Sequence, residues 1–157
     1  MAQKDELTNL GLLGVAPFAL GAVVAWLSPA ILPWSIGAAA NQITLVYGAV
    51  IASYMAGMGA GGLVAAGNER RAPLLPGMMA ALLAWLAAWP GATFLSVGGF
   101  FRYSLIIVVL AYLLVRDLTA IRAGDFPNWY APLRVRLTLW ASAFLALAGF
   151  RMLIGAF

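Results

Sequence analysis

The chain of 157 residues has no cysteine and no histidine, and only 9% of it is charged. Without cysteine there are no disulfides, no thiolate nucleophile and no iron–sulfur ligation. Without histidine the commonest metal and haem ligand and the usual general base are missing. The scarcity of charge is the most restrictive feature. A soluble domain carries about 25% charged residues, because it must offer water a polar surface, and this composition cannot supply one. The acids are Asp5, Glu6, Glu69, Asp117 and Asp125. All of them are expected in tails or loops, and none mid-membrane, where a carboxylate would suggest a proton relay or a cation site. The net charge of +4 is small and reads as orientation charge in loops rather than a nucleic-acid footprint.

What the chain has instead is apolar length, with 64% of it hydrophobic. The apolar residues fall in runs of about 18 or more, which indicates helices; ten-residue alternation would indicate an outer-membrane barrel. The expected fold is all-α, one polytopic membrane domain with five transmembrane helices at about 7–27, 42–66, 73–89, 94–116 and 132–157. One lysine offset by two acids at the amino terminus is unlike a secretory signal, so the first run is expected to stay as the first helix. Pro17 should kink it. Residues 28–40, with Pro29, Pro33 and Trp34, read as an interfacial loop, with the tryptophan at headgroup level. The largest polar segment is expected between Arg116 and Pro132.

The second run is lined with small residues. Gly48, Ala52, Ala56 and Ala60 form one row at four-residue spacing, and Ala49, Ser53, Gly57 and Gly61 form the next. Such a flat face lets another helix approach closely, and close packing drives association in lipid. The face is expected to pack centrally in the chain's own bundle, with a ligand cavity or an external partner as its other uses. Ser53 and Ser142 are expected as buried hydroxyls, but no base accompanies either, and such hydroxyls usually bond a carbonyl one turn back.

Arg102 and Arg151 also interrupt apolar runs. Each lies about 21–23 Å along a helix from a second arginine, Arg116 and Arg136 respectively. Two readings are open. Four arginines frame two neighbouring helices and snorkel to both interfaces, or Arg102 and Arg151 pair as a site for a phosphate headgroup or a carboxylate. Trp129, Tyr130, Arg134 and Arg136 form a further cluster, read as an interfacial anchor or as a dock for an anionic lipid or a partner protein.

Three segments carry a family resemblance. They are Leu10–Phe18 (Leu-Gly-Leu-Leu-Gly-Val-Ala-Pro-Phe), Tyr47–Tyr54 (Tyr-Gly-Ala-Val-Ile-Ala-Ser-Tyr), and Asp125-Phe126-Pro127-Asn128-Trp129-Tyr130 continuing to Leu133-Arg134 and Leu137-Thr138. Their order and spacing resemble the uncharacterised membrane family known as domain of unknown function 3429, which includes transmembrane protein 69. The third segment is the most specific. After the second, the family usually shows a basic or histidine residue beside tryptophan, whereas this chain reads Gly57-Met58-Gly59-Ala60-Gly61. The resemblance implies a bacterial inner membrane, or by descent a mitochondrial one, and no known activity.

The functional expectation is a non-catalytic accessory or assembly component of a larger membrane complex, with a small transporter or anionic-lipid or solute-binding protein as the alternative. No enzymatic chemistry, no cofactor, no metal site and no nucleic-acid partner is expected; the partners are the lipid bilayer, anionic lipid and a membrane complex. Topology follows from charge. With five spans, Lys4, Arg70, Arg71, Arg116, Arg122, Arg134 and Arg136 share one side, and the loops at 28–41 and 90–93 contain no basic residue. By the positive-inside rule the basic side is cytoplasmic or matrix. Reporter fusions at Gly67 should therefore read inside, and those at Gly91 and Phe157 outside. Gly67 and Phe157 on one side would exclude five spans.

Overall fold

A computed structural model describes residues 2–65, 67, 73–93 and 97–155, side chains at 2–5 and 92–93 excepted. The helices are α1 (Ala2–Leu13), α2 (Ala16–Leu27), α3 (Trp34–Ala65), α4 (Leu75–Ala88), α5 (Gly99–Arg122) and α6 (Tyr130–Ile154), with a short 3-10 turn at Pro90–Thr93. Helices α1 and α2 form one broken rod. Four rods are long and apolar enough to cross a membrane: Glu6–Leu27, α3, α5 and α6. The apolar helix α4 is shorter, at 14 residues. The bundle is all-helical, as the long runs require.

The break in the first rod follows from Pro17. Its missing N–H disrupts the helix one turn back, and Gly14 and Val15 form a turn. The amide of Phe18 donates to the Val15 carbonyl instead of the Gly14 carbonyl. A carbonyl released in an apolar bundle must find another donor. The Tyr47 hydroxyl of α3 supplies it, donating to the Gly14 oxygen at 2.8 Å, while Phe18 meets the Tyr47 ring edge-on at 4.9 Å between centroids.

Helices α2, α3, α5 and α6 close a ring in which α3 also touches α5, and α4 lies in the outer groove between α3 and α5. Thus α3 and α5 share the centre. Packing is the reverse of a soluble protein's. Helix α4 buries Gly77, Ala80, Ala84, Ala87 and Ala88 and turns Met78, Met79, Leu82, Leu83, Trp85 and Leu86 outward. Lipid is as apolar as leucine, so large side chains gain little by leaving it, and small ones let backbones close in. Phe18, Leu45, Tyr103, Ile106, Leu110 and Leu145 fill the centre.

Three boundaries differ from expectation. Helix α3 begins at Trp34 rather than near 42, so most of the expected interfacial loop is helical. Helix α5 begins at Gly99 and runs past Arg116 to Arg122; positions 94–96, where the fourth span was expected to start, lie outside the described residues. Gly124, just beyond the cap of α5, has a φ of +86°, which suits a residue without a Cβ. The Asp125 amide reaches the Ala120 carbonyl and the Gly124 amide the Ile121 carbonyl, which is a Schellman termination. The fifth span starts at Tyr130, and positions 156–157 lie outside the described residues, as does Ala66 at the end of the second.

The two small rows of α3 separate. Gly48, Ala52 and Ala56 are buried and Ala60 is half-buried, whereas in the second row only Ala49 is buried and Ser53, Gly57 and Gly61 are exposed. The expectation that both rows pack inside the bundle is corrected: the helix rotates one row in and leaves the second facing out. A Cβ on Gly48 would come within 3.1 Å of Ile106, while one on Gly57 meets nothing within 4 Å. Gly48→Leu is therefore expected to destabilise the protein by about 1–3 kcal/mol, and Gly57→Leu to leave its unfolding temperature in detergent unchanged. Equal losses would contradict this orientation.

Candidate functional site

Every buried charge in such a bundle needs an internal partner, and tracing those partners locates the polar features. Arg102, on the first turn of α5, is only 3% exposed. Its Nε donates to the Ala87 carbonyl at 2.7 Å, and its Nη2 to the Trp89 carbonyl at 3.2 Å and to Gln42 Oε1 at 3.1 Å. The Gln42 amide in turn donates to the Ala88 carbonyl at 2.7 Å. These carbonyls are the ones that a helix C-terminus leaves without partners, and a cation there also complements the helix dipole. At the opposite end of α4, Arg116 Nη2 donates to the Pro73 carbonyl at 2.9 Å, and a Cβ on Gly77 would occupy the space of that guanidinium. Two arginines of α5 thus hold both ends of α4, which runs antiparallel to α5 along its length.

Arg151 of α6 lies level with Arg102, because Gly99 faces Met152 and Gly149 faces Tyr103. It reaches the other way, donating to the Ser28 carbonyl beyond α2 at 2.8 Å. The guanidinium groups turn to opposite flanks of the α5–α6 pair, Arg102 to α4 and Arg151 to α2, and do not converge into one anion site.

The third tie was not anticipated. Asp117, expected at the start of a polar loop, lies within α5 and is 7% exposed, and Arg134, expected at the interface, is 6% exposed. Arg134 Nε donates to Asp117 Oδ2 at 2.6 Å, and Nη2 donates to the same oxygen. The Tyr130 ring covers Arg134 at 5.6 Å and is itself flanked by Phe126 and Trp129, each at 5.9 Å between centroids. Arg136 is exposed. The expected aromatic and basic anchor is thus divided. Tyr130 and Arg134 turn inward and Arg136 outward, with Trp129 at the rim. The sequence carried a signal for this: Asp117 sits four residues after Leu113 and four before Ile121, both buried on the same face of α5.

This ion pair separates two cavities. One, of about 240 Å³, lies between the broken first rod, α3 and α6, and Arg134 is in its wall. The other, of about 220 Å³, lies between α3, α5 and the turn after α5, and Asp117 and Arg116 are in its wall. Residues of all three segments that carry the family resemblance line the first cavity, among them Gly14, Phe18, Ile51, Tyr54, Leu133 and Thr138. Ser53 is exposed and Ser142 half-buried, so the expectation that Ser53 is a buried hydroxyl is corrected. Among the described residues no group of three or more His, Cys, Asp or Glu could hold a metal ion.

Breaking a buried ion pair by removing one partner costs about 3–5 kcal/mol, whereas replacing both partners with apolar residues is often neutral. Asp117→Leu and Arg134→Met should each lower thermal stability strongly, and the double variant should be more stable than either single one. A double variant whose losses simply add would show that the two charges are not coupled.

The chain matches the family model described as a protein of unknown function (DUF3429) over residues 3–150, and it belongs to that family. No curated protein and no solved structure matches it. The likeness to transmembrane protein 69 therefore gains no further support, and no activity, ligand or partner comes to the chain by comparison.

Proposed function

We propose that this member of the family is a non-catalytic accessory component of a larger membrane complex, and that it docks a transmembrane helix of another protein on the outward face of α3. The observation that carries this reading is the exposed row Ser53, Gly57 and Gly61. A Cβ at Gly57 or Gly61 would meet no atom within 4 Å, so among the described residues no element uses the closeness that these residues permit. Val46, Val50 and Val64 are exposed along the same face. Small residues at four-residue spacing are the pattern on which membrane helices meet backbone to backbone. Facing lipid alone, they would give up contact area that leucine supplies.

The alternative, a small transporter or a protein binding an anionic lipid or solute through Arg102 and Arg151, has weaker support, since both guanidinium groups already donate to carbonyls on different flanks. The basic-residue asymmetry of the loops supports a bacterial cytoplasmic membrane with the amino terminus inside and the carboxyl terminus outside, or a mitochondrial inner membrane in a eukaryote.

Gly57→Leu provides the test, because it places a bulky side chain on the docking face, where a Cβ meets nothing of the chain's own core. Gentle extraction from the native membrane followed by native electrophoresis should recover the parent chain in a larger assembly and Gly57→Leu as the free protein, with equal unfolding temperatures. Migration of the parent as a monomer would overturn the proposal, and an assembly containing only copies of this chain would replace the heterologous partner with a second copy.

A further inference from the structure

The first cavity contains a polar group with nothing to bond. Thr138 is 6% exposed, it lines the cavity, and its Oγ1 has no hydrogen-bond partner. Hydroxyls in helices normally donate to the carbonyl one turn back. Thr44 donates to Ala40 at 2.7 Å, Ser104 to Phe100 at 2.9 Å and Thr119 to Val115 at 2.7 Å. Thr138 does not, although the same backbone is available to it. An unmade buried hydrogen bond costs about 1–3 kcal/mol, and a hydroxyl that bears this cost on a side chain lining a cavity is poised, by a rotation about χ1, for a partner from outside the chain.

One turn earlier on α6, Arg134 lines the same cavity. Its Nε and Nη2 are committed to Asp117, which leaves Nη1 outside that ion pair. The wall therefore contains an arginine and a threonine side chain about 6 and 12 Å along α6 from Tyr130. The rest of the lining is almost wholly apolar, including Leu10, Phe18, Met55 and Met58. Leu10 and Tyr54 are themselves well exposed, so the cavity opens sideways between α1 and α3, toward lipid.

Charge decides the kind of ligand. The Arg134 charge is already balanced by Asp117. A carboxylate or phosphate placed there would leave a net negative charge buried in an apolar bundle, at high cost. A neutral acceptor takes the same two hydrogen bonds without that cost. We infer that the cavity between the broken first rod, α3 and α6 binds a neutral, lipid-soluble molecule through a carbonyl oxygen, which accepts from Thr138 Oγ1 and Arg134 Nη1 while its apolar body lies among the leucine, methionine and phenylalanine side chains. An ester carbonyl of a neutral lipid and a quinone carbonyl share this chemistry. The inference is independent of the helix-docking face, which lies on the outward side of α3.

Purified full-length protein in detergent is titrated with three probes of equal chain length, methyl decanoate, decyl-benzoquinone and decanoate, and retention is read by native mass spectrometry. One or both neutral probes should be retained, identifying the ester or the quinone as the source of the carbonyl, and decanoate should bind at least about tenfold more weakly. Thr138→Val should weaken retention of the neutral probe about tenfold, the effect of one lost hydrogen bond, while its unfolding temperature stays equal or rises because the orphaned hydroxyl is gone. Thr138→Ser should retain the probe. The inference fails if no neutral probe is retained by the parent, if decanoate binds best, or if Thr138→Val binds as well as the parent.

Discussion

A guanidinium group cannot be left unpartnered in an apolar bundle, and this constraint organises the molecule. Arg102, Arg116, Arg134 and Arg151 each donate to an acceptor on another segment. Arg102 and Arg151 reach main-chain carbonyls at the C-terminal ends of α4 and α2, where helices leave oxygens unpaired; Arg116 reaches the Pro73 carbonyl before α4, and Arg134 a carboxylate. The arginines therefore do in this protein what a hydrophobic core does in a soluble one. They fix which helices lie together and at what level, in a solvent that gives apolar side chains little reason to choose each other. Helix α4 shows the effect most clearly: it is much shorter than α3, α5 and α6, its buried face is alanine and glycine, and two arginines of α5 bind its ends.

The same constraint explains what could be read from the sequence. The number of apolar rods and the all-helical class follow from run length, and the kink follows from Pro17. The rotation of α3 does not, because two adjacent small rows are equivalent until a neighbour such as Ile106 selects Gly48. A single charged side chain normally ends a span, so from the sequence Asp117 reads as a loop residue and Arg134 as an interfacial one. Neither residue reveals that the other, in the next helix, cancels its charge. The partners of Arg102 were still harder to infer, since they are carbonyls whose availability depends on where α4 stops.

The features with functional bearing are the places where this internal satisfaction is incomplete. Ser53, Gly57 and Gly61 leave backbone uncovered on the outside of α3, and Thr138 leaves a hydroxyl unpaired in a cavity lined by the segments that identify the family. One is the face proposed to dock another helix, and the other is the hydroxyl proposed to meet a ligand. Both are compatible with an accessory membrane protein that holds a neutral lipid-like molecule, and neither requires catalysis.

The claim that arginines act here as internal ties is tested most directly at Arg102, by hydrogen–deuterium exchange of the detergent-solubilised protein and its Arg102→Leu variant. If Arg102 holds the end of α4, the amides of positions 84–89 should lose protection in the variant while those of α3 near Gly48 keep theirs. Unchanged protection of α4 in Arg102→Leu would contradict the account and return Arg102 to the list of candidate ligand contacts.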